Sequence, residues 1–466
     1  MLNVALASIL KLSTQAPARL LFAIALGFLF SVRASQISAQ TAEPAQTAEP
    51  GSAKSDSDEP DSGSSKSAGA DSAGRNSGMP SQLSERTDSP MRITLAQEAA
   101  YKLEKPSYLI KNRSSVRMEY SKYFLDNFFV QLDAKAIAFL DGDHRHDEEG
   151  SVTRVSQAYV QSSFQQTSIK AGIQALAWGE SILAPITDEV SPRDNSELFN
   201  FNLDELRLGQ PMLTVDQFSE LGRWSAFFIP KPSFNKNPKK GSAYFFDRFN
   251  YRSEIAGPKN DSEYGISWRK NFASSDITLM AASLIDNDYA LRMDEAGLVT
   301  REKVRFSLAG AAFNYAVNKF VIRGEAAVKS PKAYNNAALQ IVKKDAVDAY
   351  LNVEYSPSST LTWSLEGVNQ HVVNWDSEIQ SAPRDRQSFA LSVTKRLMND
   401  DLSINVLNIY NRPNSSYLAV LMASYKWNDN LTLGFSASYP YTGNQKSSLY
   451  NVRDQKQISF KIQYQF

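Results

Sequence analysis

The residues with the most chemical potential crowd into one stretch of the chain, Trp178 to Pro232. It reads Trp178-Gly179-Glu180, then Thr187-Asp188, Ser191-Pro192-Arg193-Asp194, Asp204-Glu205-Leu206-Arg207 and Phe228-Ile229-Pro230. Carboxylates and guanidinium groups in such a series do one of two things. Glu180, Asp188, Arg193, Asp194, Asp204 and Arg207 pair with one another and fix a loop, or they line the path of a polar solute. A second crowd is His144, His146, Asp147, Glu148 and Glu149. Imidazole and carboxylate groups together are ligands for a divalent cation; the competing reading is a solvated, charged loop tip that bridges lipopolysaccharide. The remaining histidine, His371, is followed by Val372 and Val373 and has no serine nucleophile two residues on. No His–acid–nucleophile constellation can be assembled, and no glycine loop that would cradle a phosphate is evident. The residues call for no enzyme and no cofactor.

Composition narrows the classes further. Lys plus Arg and Asp plus Glu number 50 each, so the net charge is zero. A nucleic-acid partner, which calls for a basic excess, is not indicated. There is no cysteine, which removes disulfide scaffolds, thiolate metal sites and cysteine nucleophiles. Phe and Tyr are plentiful, 25 and 20 residues, and both favour strands and membrane interfaces.

The chain opens on a signal-peptide pattern over residues 1–39. Lys11 and Arg19 precede an apolar run, Leu20 to Phe30, and small residues follow, with cleavage expected after Ala34 or Ala39. A run of about 11 residues is too short to cross a bilayer as a helix, which needs roughly 20. Residues 40–90 repeat Thr-Ala-Glu-Pro at Thr41 and Thr47 and are then rich in Ser, Asp, Gly and Ala. With almost no large apolar side chain this segment cannot offset chain entropy, and a disordered tether is expected.

From residue 91 to the end the dominant signal has period two. Ile458, Phe460, Ile462, Tyr464 and Phe466 alternate with Ser459, Lys461, Gln463 and Gln465. Successive strand side chains point to opposite faces, so one face is apolar and the other polar. Phe320, Ile322, Gly324, Ala326 and Val328 likewise lie opposite Arg323, Glu325 and Lys329. These strands run about 10–13 residues, the length a tilted membrane strand needs, whereas soluble strands average about 5–6. Aromatics gather at strand ends, as membrane girdles require. The chain also ends on a strand closed by Tyr464 and Phe466, which resembles the signal that barrel-insertion machinery reads.

Short turns near Leu125–Asn127, Gln165–Thr167, Ser219–Gly222, Asn271–Ser275, Val317–Asn318, Ser356–Ser359, Met398–Asp400 and Asn428–Asn430 alternate with longer connections. The longer ones include Asp141–Gly150, Trp178–Gln210, Pro230–Asp261, Asp286–Lys303, Ser330–Asp345, Val372–Arg384 and Tyr441–Asp454, with Asn411–Asn414 as a short exception. Bacterial barrels place short turns in the periplasm and long loops outside. Counting back from Phe466 gives about 17 strands, the first near Arg113–Phe124, and a periplasmic start demands one more within Ile93–Leu103. The expected fold is therefore an all-β, transmembrane antiparallel barrel of 18 strands, with 16 as the alternative. Such a barrel has an aqueous lumen. Asp133 and Lys135, and Arg323 and Glu325, fall on polar strand faces and are expected to line it.

At about 33 residues, Trp178–Gln210 is too long for a passive loop. Its apolar residues, among them Trp178, Ile182, Leu183 and Phe199, call for packing, either inside the barrel as a constriction or over its mouth as a lid.

The series Gln157-Ala158-Tyr159, Ala171-Gly172, Trp178-Gly179-Glu180, Asp188, Pro192-Arg193-Asp194, Asp204-Glu205, Arg207 and Ile229-Pro230 resembles the Gram-negative outer-membrane proteins of the domain-of-unknown-function 1302 family. Ser191 stands where that family usually has Asn. The resemblance implies envelope transport of hydrophobic or lipid-like molecules, in partnership with an inner-membrane exporter of the resistance-nodulation-division type. It implies no catalytic residues. Two other readings compete: a non-conducting barrel that anchors surface loops for envelope assembly or binding, and a rim enzyme. Outer-membrane lipid and lipopolysaccharide are the expected surroundings.

Overall fold

The computed structural model describes residues 90–124, 127–143, 150–245 and 249–466. The signal peptide, nearly all of the tether, and His144 and His146 lie outside the described residues. The described chain forms β1 (Met91–Lys102), β2 (Leu109–Phe124), β3 (Phe128–Phe139), β4 (Ser151–Phe164), β5 (Thr167–Gln174), β6 (Gln210–Ser219), β7 (Gly222–Ile229), β8 (Tyr251–Ala256), β9 (Glu263–Asn271), β10 (Ser275–Ile285), β11 (Ala290–Met293), β12 (Val299–Glu302), β13 (Arg305–Val317), β14 (Phe320–Asn335), β15 (Ile341–Ser358), β16 (Leu361–Val372), β17 (Asp385–Leu397), β18 (Leu402–Arg412), β19 (Ser416–Lys426), β20 (Leu431–Tyr441) and β21 (Gln457–Gln465).

Eighteen of these strands make one sheet in which sequence neighbours pair antiparallel. β7 pairs β9 and β10 pairs β13, so β8, β11 and β12 stand outside the ring. β1 pairs with both β2 and β21, which closes the sheet into a barrel. The strand demanded before Arg113 is β1. The closing seam runs Thr94↔Gln465 to Lys102↔Gln457, and the backbone N–H of Phe466 donates to Ile93 O at 2.9 Å.

The wall is apolar outside and polar inside. On β15, Val347, Leu351 and Tyr355 are exposed, while the intervening Asp348 and Asn352 are buried. Leu351 and Leu365 are 53 % and 58 % exposed, whereas Lys329 and Asp348 are 2 % and 3 % exposed. In water this arrangement would be inverted; against lipid it satisfies both faces. Exposed aromatics mark both rims: Phe124, Phe128, Phe164, Trp224, Phe320 and Trp363 at the short-turn end, and Tyr101, Phe228, Tyr264, Phe389, Tyr410 and Tyr439 at the long-loop end.

Three details differ from expectation. Barrel strands range from 8 residues in β5 and β7 to 18 in β15. The connection expected over Ser330–Asp345 is mostly strand, because β14 runs on to Asn335 and β15 starts at Ile341. The register shifts between Lys329 and Lys332, so Pro331 sits in a bulge, where its missing N–H breaks no ladder bond. The connections expected over Pro230–Asp261 and Asp286–Lys303 carry a small sheet of β11, β12 and β8, with β12 and β8 parallel.

Candidate functional site: the loop inside the lumen

β5 ends at Gln174 and β6 begins at Gln210, so the long connection spans residues 175–209. It folds against inward-facing side chains of the barrel wall. Its first half closes on itself. The Ser191 hydroxyl accepts from Leu176 N at 2.8 Å and donates to Leu176 O at 3.0 Å, and the Thr187 hydroxyl lies 3.1 Å from Trp178 O, which shares the hydroxyl's one hydrogen with Glu325. Asp188, 3 % exposed, accepts from Trp178 N, from Arg193 Nη2 at 2.9 Å and from Arg207 Nε at 3.0 Å. Arg207 also donates to Gly179 O at 2.9 Å. One carboxylate with two guanidinium groups thus ties the loop's two ends together. Of the two roles open to Asp188, Arg193 and Arg207, the geometry has them paired with one another.

The tip is clamped to the wall at β14–β16. Glu325 of β14 accepts from Glu180 N at 2.7 Å and from the Thr187 hydroxyl at 2.6 Å. Gly179 leaves room for these bonds: a Cβ on it would lie 2.5 Å from Glu325 Oε2 and 2.8 Å from Thr187 Oγ1, so those side chains would have to shift. Glu180 itself pairs with Arg323 at 3.1 Å, and Arg323 reaches on to Glu354 at 3.0 Å. Glu366 of β16 accepts from the Ser181 hydroxyl at 2.8 Å and Leu183 N at 3.2 Å. Lys329 bonds Glu189 at 2.6 Å, Asp348 at 2.7 Å and Pro185 O at 2.8 Å. Burial opposes ionisation of Glu189, but the ammonium groups of Lys329 and Lys332 outweigh it and hold its carboxyl well below the usual range.

The second half of the loop meets the opposite sector. Asp194 pairs with Arg154 of β4 at 2.5 Å, and Glu197 pairs with Lys111 of β2 at 2.7 Å and with Arg113. Asp204 and Glu205 fall in a single helical turn, α1 (Leu203–Leu206). Burial raises the Glu205 carboxyl, yet Lys135 and Lys461 together bring it below the usual range.

Apolar packing completes the docking. Trp178 packs edge-on to Phe227 at 5.3 Å, beside Val190, Met212, Met280, Leu284, Phe306 and Leu308. Ile186 is fully buried against Ala327, Tyr350 and Val368. Ile182, Leu183, Phe199 and Phe201 lie on inward-facing Ala390, Leu407, Ile409, Leu418 and Val420 of β17–β19.

Asp133 is buried and holds the Arg117 fork through two bonds of 2.8 and 2.7 Å. Lys135 is partly exposed and lines a cavity at the short-turn end. Tyr464 packs against Phe466 at 4.8 Å beside the seam. His371 pairs with Asp385 at 2.7 Å near the long-loop rim. Sequence reasoning did not single out Glu189, Glu197 or Glu366 as contacts between loop and wall. Their partners lie 84 to 185 residues away in the chain, and alternation marks only which face a residue occupies.

An 18-stranded closed sheet with an apolar belt, aromatic rims and a loop against its inner wall defines an outer-membrane β-barrel of porin-like fold. Similar solved structures include OccAB2 of Acinetobacter baumannii (TM-score 0.51, 11 % identity, covering 81 % of this chain and 97 % of that one). OccK2 (OpdF) of Pseudomonas aeruginosa, solved in complex with glucuronate, scores 0.50 at 11 % identity, covering 81 % and 98 %. OccAB1 of A. baumannii scores 0.50 at 9 % identity, covering 81 % and 96 %. No curated protein matches the sequence. The chain belongs to the DUF1302 family of proteins of unknown function, whose model matches residues 55–466.

Proposed function

We propose that this protein is an outer-membrane channel that passes small or apolar solutes, with residues 175–209 as its constriction. The observation that carries the reading is the position of that loop, anchored to inward-facing residues of β14–β16 on one side and of β2 and β4 on the other. Barrel size supports it. Eighteen strands about 4.8 Å apart, tilted by about 40°, make a backbone cylinder roughly 36 Å across. Wall side chains take roughly 5 Å from each side, and a loop layer is roughly 10 Å thick, so a single layer leaves space beside it. Glu180, Asp188, Arg193, Asp194 and Arg207 then act by holding the constriction in place, while Lys135 and Arg323 belong to the wall it narrows.

Exchange with an inner-membrane exporter fits a path that ends at the short-turn rim, and Tyr464 and Phe466 fit the role of insertion signal. The test is conductance in planar bilayers. The full-length protein is expected to give discrete steps, and deletion of residues 178–208 with a short Gly/Ser linker larger ones. Silence from both proteins, with the barrels shown to be folded by gel mobility, overturns the proposal and favours a non-conducting anchor.

A further inference from the structure

A cavity of about 170 Å³ opens at the short-turn end, walled by β21, β1, β2 and β3 and bounded by Glu205 of the loop. Its charged lining is Arg92, Arg117, Lys135 and Lys461 against Glu119 and Glu205. The pairing within it is uneven. Asp133 occupies the Arg117 fork, and Arg92 reaches Glu119 at 3.8 Å. Lys461 approaches Glu205 only to 4.0 Å. Lys135 makes no hydrogen bond or ion pair among the described residues. Thr94, Ser115 and Gln463 add neutral hydrogen-bonding groups to the same wall. Glu205 is the one lining carboxylate that acts on both ammonium groups, and a single carboxylate shared by two leaves positive charge which, beside hydroxyl and amide donors, is a receptor for an anion.

The next sector of the wall has the opposite character. β20 is bonded to β21 on one side and β19 on the other, with Lys461↔Gly434 and Gly434↔Ser424 in register. The residues of β20 that share the inward face are small: Thr432, Gly434, Ser436 and Ser438. Beyond them, Leu407, Leu418 and Val420 of β18 and β19 lie buried under Phe199 and Phe201, and Met422, partly exposed, forms the edge of that apolar cluster. Two strand spacings, about 10 Å, separate the Lys461 strand from the Met422 strand. A cationic cavity, a strand of small residues and an apolar patch therefore stand side by side on one wall.

We infer that the lumen binds an amphipathic organic anion, with its charged head in the cavity at Lys135 and Lys461 and its apolar body across β20 toward Met422 and Phe201. This rests on the channel reading for its biological sense but is tested apart from it. Full-length protein in nanodiscs is equilibrated with radiolabelled decanoate, and binding to empty nanodiscs is subtracted. Decylammonium and acetate are measured in parallel. Decanoate is expected to bind at least tenfold more tightly than either. K135Q/K461Q is expected to weaken decanoate at least tenfold, and M422S severalfold, with gel mobility confirming a folded barrel. Equal binding of decanoate and decylammonium, equal binding of decanoate and acetate, or a decanoate affinity unmoved by K135Q/K461Q overturns the inference. Potassium chloride conductance is recorded on the same preparation. Conduction without selective decanoate binding removes this inference alone, and selective binding with silence from both the full-length protein and the loop deletion removes the channel reading alone.

Discussion

Lys329 holds the lumen loop through Glu189 and Pro185 O, and replacing it with methionine should free the tip. The side chain is 2 % exposed and its ammonium contacts Glu189, Asp348 and Pro185 O at 2.6 to 2.8 Å. In Lys329→Met the hydrocarbon remains while the two carboxylates are left without the cation between them. Breaking a buried pair by removing one partner costs about 3–5 kcal/mol, chiefly because a buried charge is left uncompensated. The share of that cost that comes from Glu189 is relieved when the loop undocks, since Glu189 belongs to the loop, whereas Lys329 and Asp348 are both wall residues. A free-energy change of that size raises the undocked population roughly 10²-fold to several thousandfold. The chain has no cysteine, so a single reporter can be introduced without background. Ile186→Cys is suitable because Ile186 is fully buried beneath the tip. Its thiol reacts with a maleimide only when the tip opens, and when closing is fast the rate follows the open population. Labelling should therefore accelerate by two orders of magnitude or more in K329M/I186C relative to I186C. The triple change K329M/E189Q/D348N, which removes the stranded charges, should recover most of the protection. A change below threefold in K329M/I186C would refute the claim that this ion cluster holds the loop.

Other consequences can be checked with simpler variants. Leu365→Arg, on the exposed face of β16, should destabilise the barrel by about 2–4 kcal/mol in equilibrium unfolding from liposomes if it lies near the bilayer midplane; an unchanged midpoint would mean that this face meets water. Gly179→Ala places a Cβ 2.5 Å from Glu325 Oε2, and should cost about 1–3 kcal/mol of loop docking, read as faster labelling at residue 186 and as noisier single-channel current. Deleting Phe466 removes its bond to Ile93 O and its ring contact with Tyr464, so the yield of heat-modifiable barrel in outer membranes should fall severalfold; an unchanged yield would remove Phe466 from the insertion signal.

Alternation made the wall legible because its cause is local. Every second residue of a strand faces lipid, so the sequence around Arg323, Glu325 and Lys329 states which side chains enter the lumen without any knowledge of neighbours. The same reasoning stumbled at Pro331, where a bulge lets the strand continue through a residue that usually ends one. It also passed over β8, β11 and β12, which are four to six residues long and too short to show a period. The candidate site was half legible. Gly179, Asp188, Arg193 and Arg207 stood out by type and spacing, and their bonds to one another span at most 28 residues.

The other half of the site depends on closure. The loop leaves the wall between β5 and β6, and its tip meets β14–β16. β6 and β15 are six pairings apart around the ring, which in an 18-stranded barrel is a third of the circumference. The loop's second half returns to β2 and β4 on the other side. An open sheet would not bring these sectors within reach of one loop, because its twist carries distant strands apart rather than face to face. The β1–β21 seam that ends at Phe466 is therefore a condition for the constriction as well as for the wall. Glu325, Lys329 and Glu366 gain their loop partners only in the closed ring, while Asp188 with Arg193 and Arg207 bonds the loop to itself. A segment cross-linked by its own bonds has less freedom to lose on docking than an unbonded one of the same length.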